Sequence, residues 1–248
     1  MKLAGTPSDR LPDVLATGET AARHVFVSFS GREPEGRDAE YLEWHALDHR
    51  PEQHRLAELR QSLRFVSTAA CREARAASTA PYDGVDHVMS YLFTGREGLP
   101  GFIALGAALD AAGRMPLRLP SLGYMTADLA GKIAAPHAVA GADVIPWRPA
   151  RGLYLIIEEG QVSPAPLVAV PGVAGIWWYH GGRTPEPLAH DATGLQITYC
   201  YLDGDPIAVA AAMQEALTPR WQTGAARGLL AAPFHSVVPF AWDAHLPG

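Results

Sequence analysis

Lysine is nearly missing from this chain. Of twenty basic residues only Lys2 and Lys132 are lysine and the rest are arginine, a pattern of coding bias and not of chemistry. Cysteine is as scarce. Cys71 and Cys200 stand alone in apolar, strand-like runs. Two isolated thiols make neither a metal cluster nor a disulfide framework, and they suit buried free cysteines in a reducing compartment. Long apolar runs are absent too: none reaches the ~18 residues of a membrane span. The opening MKLAGTPSDRLPDVLATG has no apolar core of signal-peptide length. The expectation is a soluble, cytoplasmic protein with no membrane role. A formal net charge of −6 leaves no basic stripe, which argues against a nucleic-acid partner. Nucleotide and nicotinamide chemistry lack their motifs, since GREPEG and GREGLPG have no Lys-Ser/Thr, and SFSG is not a Gly-x-Ser-x-Gly elbow.

What is present is a foldable chain. Apolar residues make up 48% of the 248 and charged ones 19%, enough to bury a core in one larger or two small domains. RHVFVSFSG (23–31) reads as a short strand ended by Gly. RDAEYLEWHALDHR (37–50) has helical periodicity, and Pro51 stops or kinks it and opens a second short helix, PEQHRLAEL. SLRFVSTAAC (62–71) and DHVMSYLFTG (86–95) are strand-like, and LPGFIALGAALDAAG (99–113) is an apolar helix closed by Gly113. RGLYLIIEEG (151–160), GVAGIWWYHGG (172–182) and LQITYCYLDG (195–204) predict three more strands. DPIAVAAAMQEAL (205–217) follows as a helix with Asp205 as N-cap and Pro206 at its first position. MPLRLPSLGYMTADLAGKIAAP (115–136) is long for a connection, as lids are, and Tyr124 is its polar aromatic.

Two blocks occur twice in the same order. GKIAAPH (131–137) reads against GLLAAPFH (228–235), and DVIPW (143–147) against SVVPF (236–240). Each pair lies where a β-α-β-β-α-β unit needs its last strand, and the proline in each suggests an edge or bulge position. A tandem repeat is expected, 20–150 and 151–248, with the first helix of the second copy reduced or missing. The histidine-bearing segment 32–61 has no counterpart there, so one site per chain would belong to the first copy.

The segment EYLEWHALDHRPEQHRL (40–56), followed by LRFVSTAACR and DHVMSYLF, resembles the ferredoxin-like dimeric α/β-barrel superfamily, especially its EthD-like branch. There the first helix commonly runs aromatic-x-x-Trp-(His/Tyr)-x-x-x-His-x-Pro-Glu, which Tyr41, Trp44, His45, His49, Pro51 and Glu52 match. The usual apolar-Pro-Gly-aromatic lead into the second strand is missing from the first copy, which has RQSLRF. A form of it survives in the second as VAVPGVAGIWWY. The resemblance implies an α+β fold of tandem ferredoxin-like β-α-β-β-α-β repeats pairing sheet to sheet as an α/β barrel, with association into a homo-oligomer left open. The superfamily spans cofactor-free monooxygenases, lactone isomerases, polyketide cyclases, lyases, haem enzymes and proteins without known activity, so the fold selects no reaction.

His45 and His49 are four apart and share a helical face, which the resemblance puts near the pocket between helix and sheet. An imidazole exchanges a proton near neutral pH, and Asp48 or Glu52 could fix one tautomer. The bland alternative is that these histidines cap the kinked helix end and hydrogen-bond locally. His-x-x-x-His also ligates zinc on helices. Here Ala46 stands where a zincin helix has Glu, and no third ligand is placed, so no metal and no cofactor are expected. His87 and Tyr91 alternate onto one face of their strand, as do Trp177 and Tyr179. With Tyr41, Trp44 and Tyr124, such aromatics would line a pocket for a flat apolar ligand, although plain core residues look the same. The expected function is a cofactor-independent lyase, isomerase or cyclase acting on a small hydrophobic or aromatic substrate. His49 would be its principal acid or base, His45 the partner, and His87 and Tyr91 further candidates. A non-catalytic binder of hydrophobic ligands and a metal- or haem-dependent enzyme are the alternatives.

Overall fold

Alternation builds the first strand. In β1 (His24–Ser30) Val25, Val27 and Phe29 join one apolar cluster, and Phe26 joins another on the opposite face. A computed structural model describes residues 21–184, 186 and 190–246. The opening stretch read above, the expected start of the first half at residue 20 and the chain end at residue 248 lie outside the described residues. After β1 come α1 (Asp38–Trp44), a π-helical turn (His45–His49) and α2 (Arg50–Gln53). β2 (Leu59–Val66), α3 (Ala69–Glu73), β3 (Ala77–Ser78), β4 (His87–Phe93), α4 (Gly98–Ala111) and β5 (Ser121–Ala134) complete the first half. The second half runs β6 (Gly152–Glu159), β7 (Val173–Gly181), a small hairpin of β8 (Arg183–Thr184) and β9 (His190–Asp191), β10 (Leu195–Leu202), α5 (Pro206–Gln222) and β11 (Arg227–Ser236). A single 3-10 turn, Ala165–Ala169, stands between β6 and β7 where the first half has its histidine-bearing helix.

The main sheet is antiparallel throughout, in the order β2-β4-β1-β5-β7-β10-β6-β11, with β3 added on β11. β11 also pairs back onto β2 through His235 with Val66 and Ser236 with Phe65, which closes the sheet on itself. The result is an α+β fold with a large antiparallel sheet and few helices. Within each half the main strands lie in the order second, third, first, fourth. Among the described residues no helix is long and apolar enough to cross a membrane.

Three apolar layers follow from the strand alternation. The interior of the closed sheet is filled by Val25, Phe29, Leu155, Trp177, Tyr179, Tyr199 and their neighbours. Outside the second half, α5 lays Val209, Met213 and Leu217 on Tyr154, Ile156 and Cys200. Each such side chain contributes roughly 1.5–3 kcal/mol when fully buried. Outside the first half the apolar layer is smaller, built on Phe26, Met89, Tyr91, Phe93 and Leu99. Histidine, arginine and serine fill the rest, and that polar remainder holds the site.

Several expectations change. Most of the segment 115–136 is not a lid but β5, whose first part pairs with β1 and whose second part pairs with β7. Its length comes from spanning both halves. Pro233 is no edge residue. It sits in β11 between the two residues paired with β3 and the two paired with β2, a gap where no ladder bond needs its missing N–H. Pro146 lies in a 3-10 turn (Ala142–Trp147) and not in a strand. Cys71 is in α3 and not in a strand; both it and Cys200 are buried and unbridged.

Candidate functional site

The helical stretch begun by α1 continues through the π turn into α2, with Pro51 in the first turn of α2. At the π turn the Arg50 N–H bonds the His45 carbonyl, five residues back. A regular turn would press the Pro51 ring on the carbonyl four residues before it and leave a bond unmade. The widened turn absorbs both, and such turns often mark functional positions. It brings the imidazoles of His45 and His49 to 5.4 Å between ring centroids, with Tyr41 stacked on His45 at 5.6 Å and Trp44 against His49 at 5.1 Å.

Each of these groups is tied to the sheet. His45 Nε2 lies 3.2 Å from the Tyr91 hydroxyl of β4. Gln53 Nε2 donates to His49 Nε2 at 2.9 Å. His87 Nε2 bonds the Asp38 carboxylate at 2.7 Å, so that the first residue of α1 is fastened to the first residue of β4. Arg64 of β2 donates to the Tyr41 hydroxyl at 3.0 Å and lies over its ring. Arg50 donates to the Ser62 hydroxyl and carbonyl, both at 3.0 Å.

Burial, reinforced by Arg64 and other nearby cations, holds His45 well below the usual imidazole pKa. Burial also lowers His49, against an opposing pull from Asp48. For His87 burial outweighs the hydrogen bond to Asp38, and the ring is lowered as well. Burial pushes the Tyr91 phenol up. At neutral pH the cluster is neutral imidazole and neutral phenol beside cationic guanidinium.

Two cavities meet at this cluster. A small one of about 200 Å³ lies between the helix and the sheet, lined by Tyr41, Trp44, His45, His49, Arg64 and Tyr91 and covered by the 115–119 connection. A larger cleft of about 740 Å³ opens beside the β2–β11 closure. Its walls include Leu42, Leu63, Phe65, Val237 and Trp242, and its polar groups include Arg50, Arg151, His54, His235 and His245. His45 and Arg64 line both, standing as the wall between them. Among the described residues the one carboxylate on the large cleft, Asp205, is engaged in capping α5.

Of the residues singled out in the sequence, Tyr41, Trp44, His45, His49 and Tyr91 come together around the small cavity. His87 lies beneath them and lines neither cavity. Tyr124 is on β5, stacked on Phe26 at 5.9 Å, outside both cavities. Trp177 and Tyr179 are packed inside the closed sheet, 1% exposed, and line neither cavity. Arg50, Arg64, His235 and His245 were not foreseen. A signal for Arg64 was available in SLRFV, where a charge on an apolar, alternating strand marks a buried cation. Nothing local pointed to His235 and His245, which the chain closure brings here. Among the described residues no group of three or more His, Cys, Asp or Glu side chains could hold a bare metal ion.

The closed antiparallel sheet with flanking helices defines an α+β, barrel-like protein. No known family profile matches the sequence, and neither does any curated protein sequence. Solved structures do overlap it, and they are dimeric α/β-barrel proteins. An anthrone oxidase-like protein shares 14% identity at a TM-score of 0.46, covering 88% of this chain and 92% of its own. Chlorite dismutase from Candidatus Nitrospira defluvii shares 10% at 0.46, covering 86% and 91%. A protein described as a monooxygenase from Fusobacterium nucleatum shares 9% at 0.45, covering 88% and 94%. Overlap this loose assigns no chemistry to this chain.

The expected cofactor-independent lyase, isomerase or cyclase is nevertheless corrected. These overlapping structures bear oxidase, dismutase and monooxygenase names and none of the expected ones. At the site, His45 Nε2 is paired with the Tyr91 hydroxyl and His49 Nε2 with the Gln53 amide.

Proposed function

We propose that this chain is an oxidoreductase-type enzyme acting on a small, largely apolar molecule, with a flat, carboxylate-bearing prosthetic group of the haem kind in the large cleft. The observation that carries the reading is the composition of that cleft. Its volume of about 740 Å³ falls within the roughly 300–1,000 Å³ of ligand and cofactor sites. Its walls are apolar. Among the described residues its imidazoles at His235 and His245 have no hydrogen-bond partner, stacking only on each other at 4.2 Å, and burial lowers His235 so that the ring is neutral, as a metal ligand must be. Arg50 and Arg151 have no carboxylate partner there either. These residues fit such a group: His235, on the end of β11, for the iron, and Arg50 and Arg151 for its carboxylates. When bound, it supplies the one-electron and oxygen chemistry that side chains lack.

The chain's own residues do the rest. His45 and Arg64 separate the cleft from the small cavity, where the substrate meets Tyr41, Trp44 and His49. The Tyr91 hydroxyl and His45 Nε2 hold one proton between them, fixing the imidazole against the cleft wall. Leu42, Leu63 and Phe65 keep water from the junction.

The same proposal takes residues 20–150 and 151–248 as two ferredoxin-like copies, supported by their common strand order and the doubled sequence blocks. It places the first helix nearest the EthD-like branch, supported by Tyr41, Trp44, His45, His49, Pro51 and Glu52. Two buried thiols without a bridge support a cytoplasmic protein.

The test is a hemin titration of the purified protein followed by absorbance. One equivalent is expected to give a sharp Soret band that His235→Ala weakens or shifts. A titration without saturation at one equivalent overturns the reading.

A further inference from the structure

The chain changes character where β11 ends. Leu229 through Phe234 are all buried, whereas none of residues 235–246 is. The last bond to the sheet runs from the Val237 N–H to the Arg64 carbonyl, at 3.4 Å. Beyond it the N–H groups of Ala241, Ala244 and Leu246 bond Val238, Ala241 and Asp243, all within the segment. Among the described residues, 238–246 make no hydrogen bond and no ion pair to the rest of the chain.

This loosely tied stretch is nevertheless a wall of the large cleft, to which it supplies Val238, Pro239, Phe240, Trp242 and His245. Among the described residues one ring contact fastens it. The His245 imidazole stacks on that of His235, with centroids 4.2 Å and planes 12° apart. A segment without buried side chains, held by a single ring pair, opens far more readily than the sheet beneath it. Phe240 adds a bias toward opening. Its φ of 63° lies in the left-handed region, which strains a bulky residue. With 80% of its surface exposed, the residue gains little packing in return. The strain therefore sits at the base of the segment, three residues past the last sheet bond. Pro239, fixed at φ by its ring, confines the turning to the residues on either side of it.

We propose that residues 238–246 are a hinged lid on the large cleft, turning about Val237–Phe240 and fastened shut by His245 on His235. A ligand enters or leaves when that ring pair parts, as with other lids that set exchange rates. That the lid opens does not depend on what the cleft holds; that it gates a prosthetic group rests on the function proposed above.

Nitroxide labels at Arg60→Cys, exposed on β2, and Ala244→Cys, exposed on the lid, test it by pulsed electron paramagnetic resonance. Cys71 and Cys200 are buried and stay unlabelled. Two resolved distances are expected, the shorter dominant. His245→Ala should raise the share of the longer one about two- to tenfold, as loss of one ring contact does. In stopped-flow absorbance, one equivalent of hemin should enter unlabelled His245→Ala faster than the parent by a similar factor. A single narrow distance makes the segment a fixed wall and overturns the inference, and a single broad distribution in the parent does so by showing no closed state. So does any distribution that His245→Ala leaves unchanged. Saturating hemin binding at equal entry rates overturns the gate. Hemin that does not saturate counts against the prosthetic group alone, and the distances still decide the lid.

Discussion

Arg64 carries a buried charge with no ion pair among the described residues. It gains a hydrogen bond and a ring contact from Tyr41 but no carboxylate, and desolvating a guanidinium in this way is unfavourable unless a counter-charge arrives. Replacing such a group by an apolar side chain of similar length is often neutral or stabilising by about 1–4 kcal/mol. Arg64→Met is therefore predicted to keep or raise the urea midpoint of the isolated protein. A drop of more than about 1 kcal/mol would show the arginine to be structural. At this scale the sequence was partly readable: the pattern Ser62, Leu63, Arg64, Phe65 put a charge on a half-buried strand. The His45–Tyr91 pair was not readable, because nothing local in a chain says that residues 46 positions apart will meet.

Helix α5 is pinned to β6 by a buried ion pair. Glu158 is wholly buried and accepts from Arg220 Nε at 3.1 Å, Trp221 Nε1 at 3.2 Å and Gln196 Nε2 at 3.2 Å. Removing one partner strands the charge. Arg220→Ala is predicted to cost about 3–5 kcal/mol in chemical denaturation, with the loss of α5 visible in far-ultraviolet circular dichroism. A variant within about 1 kcal/mol of the parent would sink this account. Elements such as α5 were legible because Asp205 caps it and Pro206 opens it, both local signals. β5 was misread because its apolar alternation is broken by Gly123 and Gly131 and because its second half pairs with a strand of the other half of the chain. Gly131 is required there: a Cβ would strike the Trp178 ring. The cue was tertiary, and periodicity alone does not contain it.

Over the whole molecule, buried imidazoles tie stability to pH. His45, His49 and His87 are all lowered by burial, whereas in the unfolded chain each titrates near 6.5. Below that value the unfolded state takes up protons that the folded state refuses, so the free energy of unfolding falls with pH; above about 7 the term vanishes. The predicted urea midpoint is level from about pH 7 upward and declines steadily through 6 toward 5, with a shallower decline in His45→Gln. A midpoint that rises on acidification from pH 7 to 5.5 contradicts the assignment.

The ring of strands is fastened unequally. β5 and β7 join the halves along seven residue pairs, β2 and β11 along only two. The large cleft lies over the weaker join, lined by Ser62 through Phe65 on one side and by His235 and Ser236 on the other. A molecule seated there bridges the two strands where their own rungs run out, and so acts as a latch. Filling the cleft is predicted to reinforce that join, legible as slowed amide exchange at Phe65, Val66 and Ser236, far from any change in chemistry.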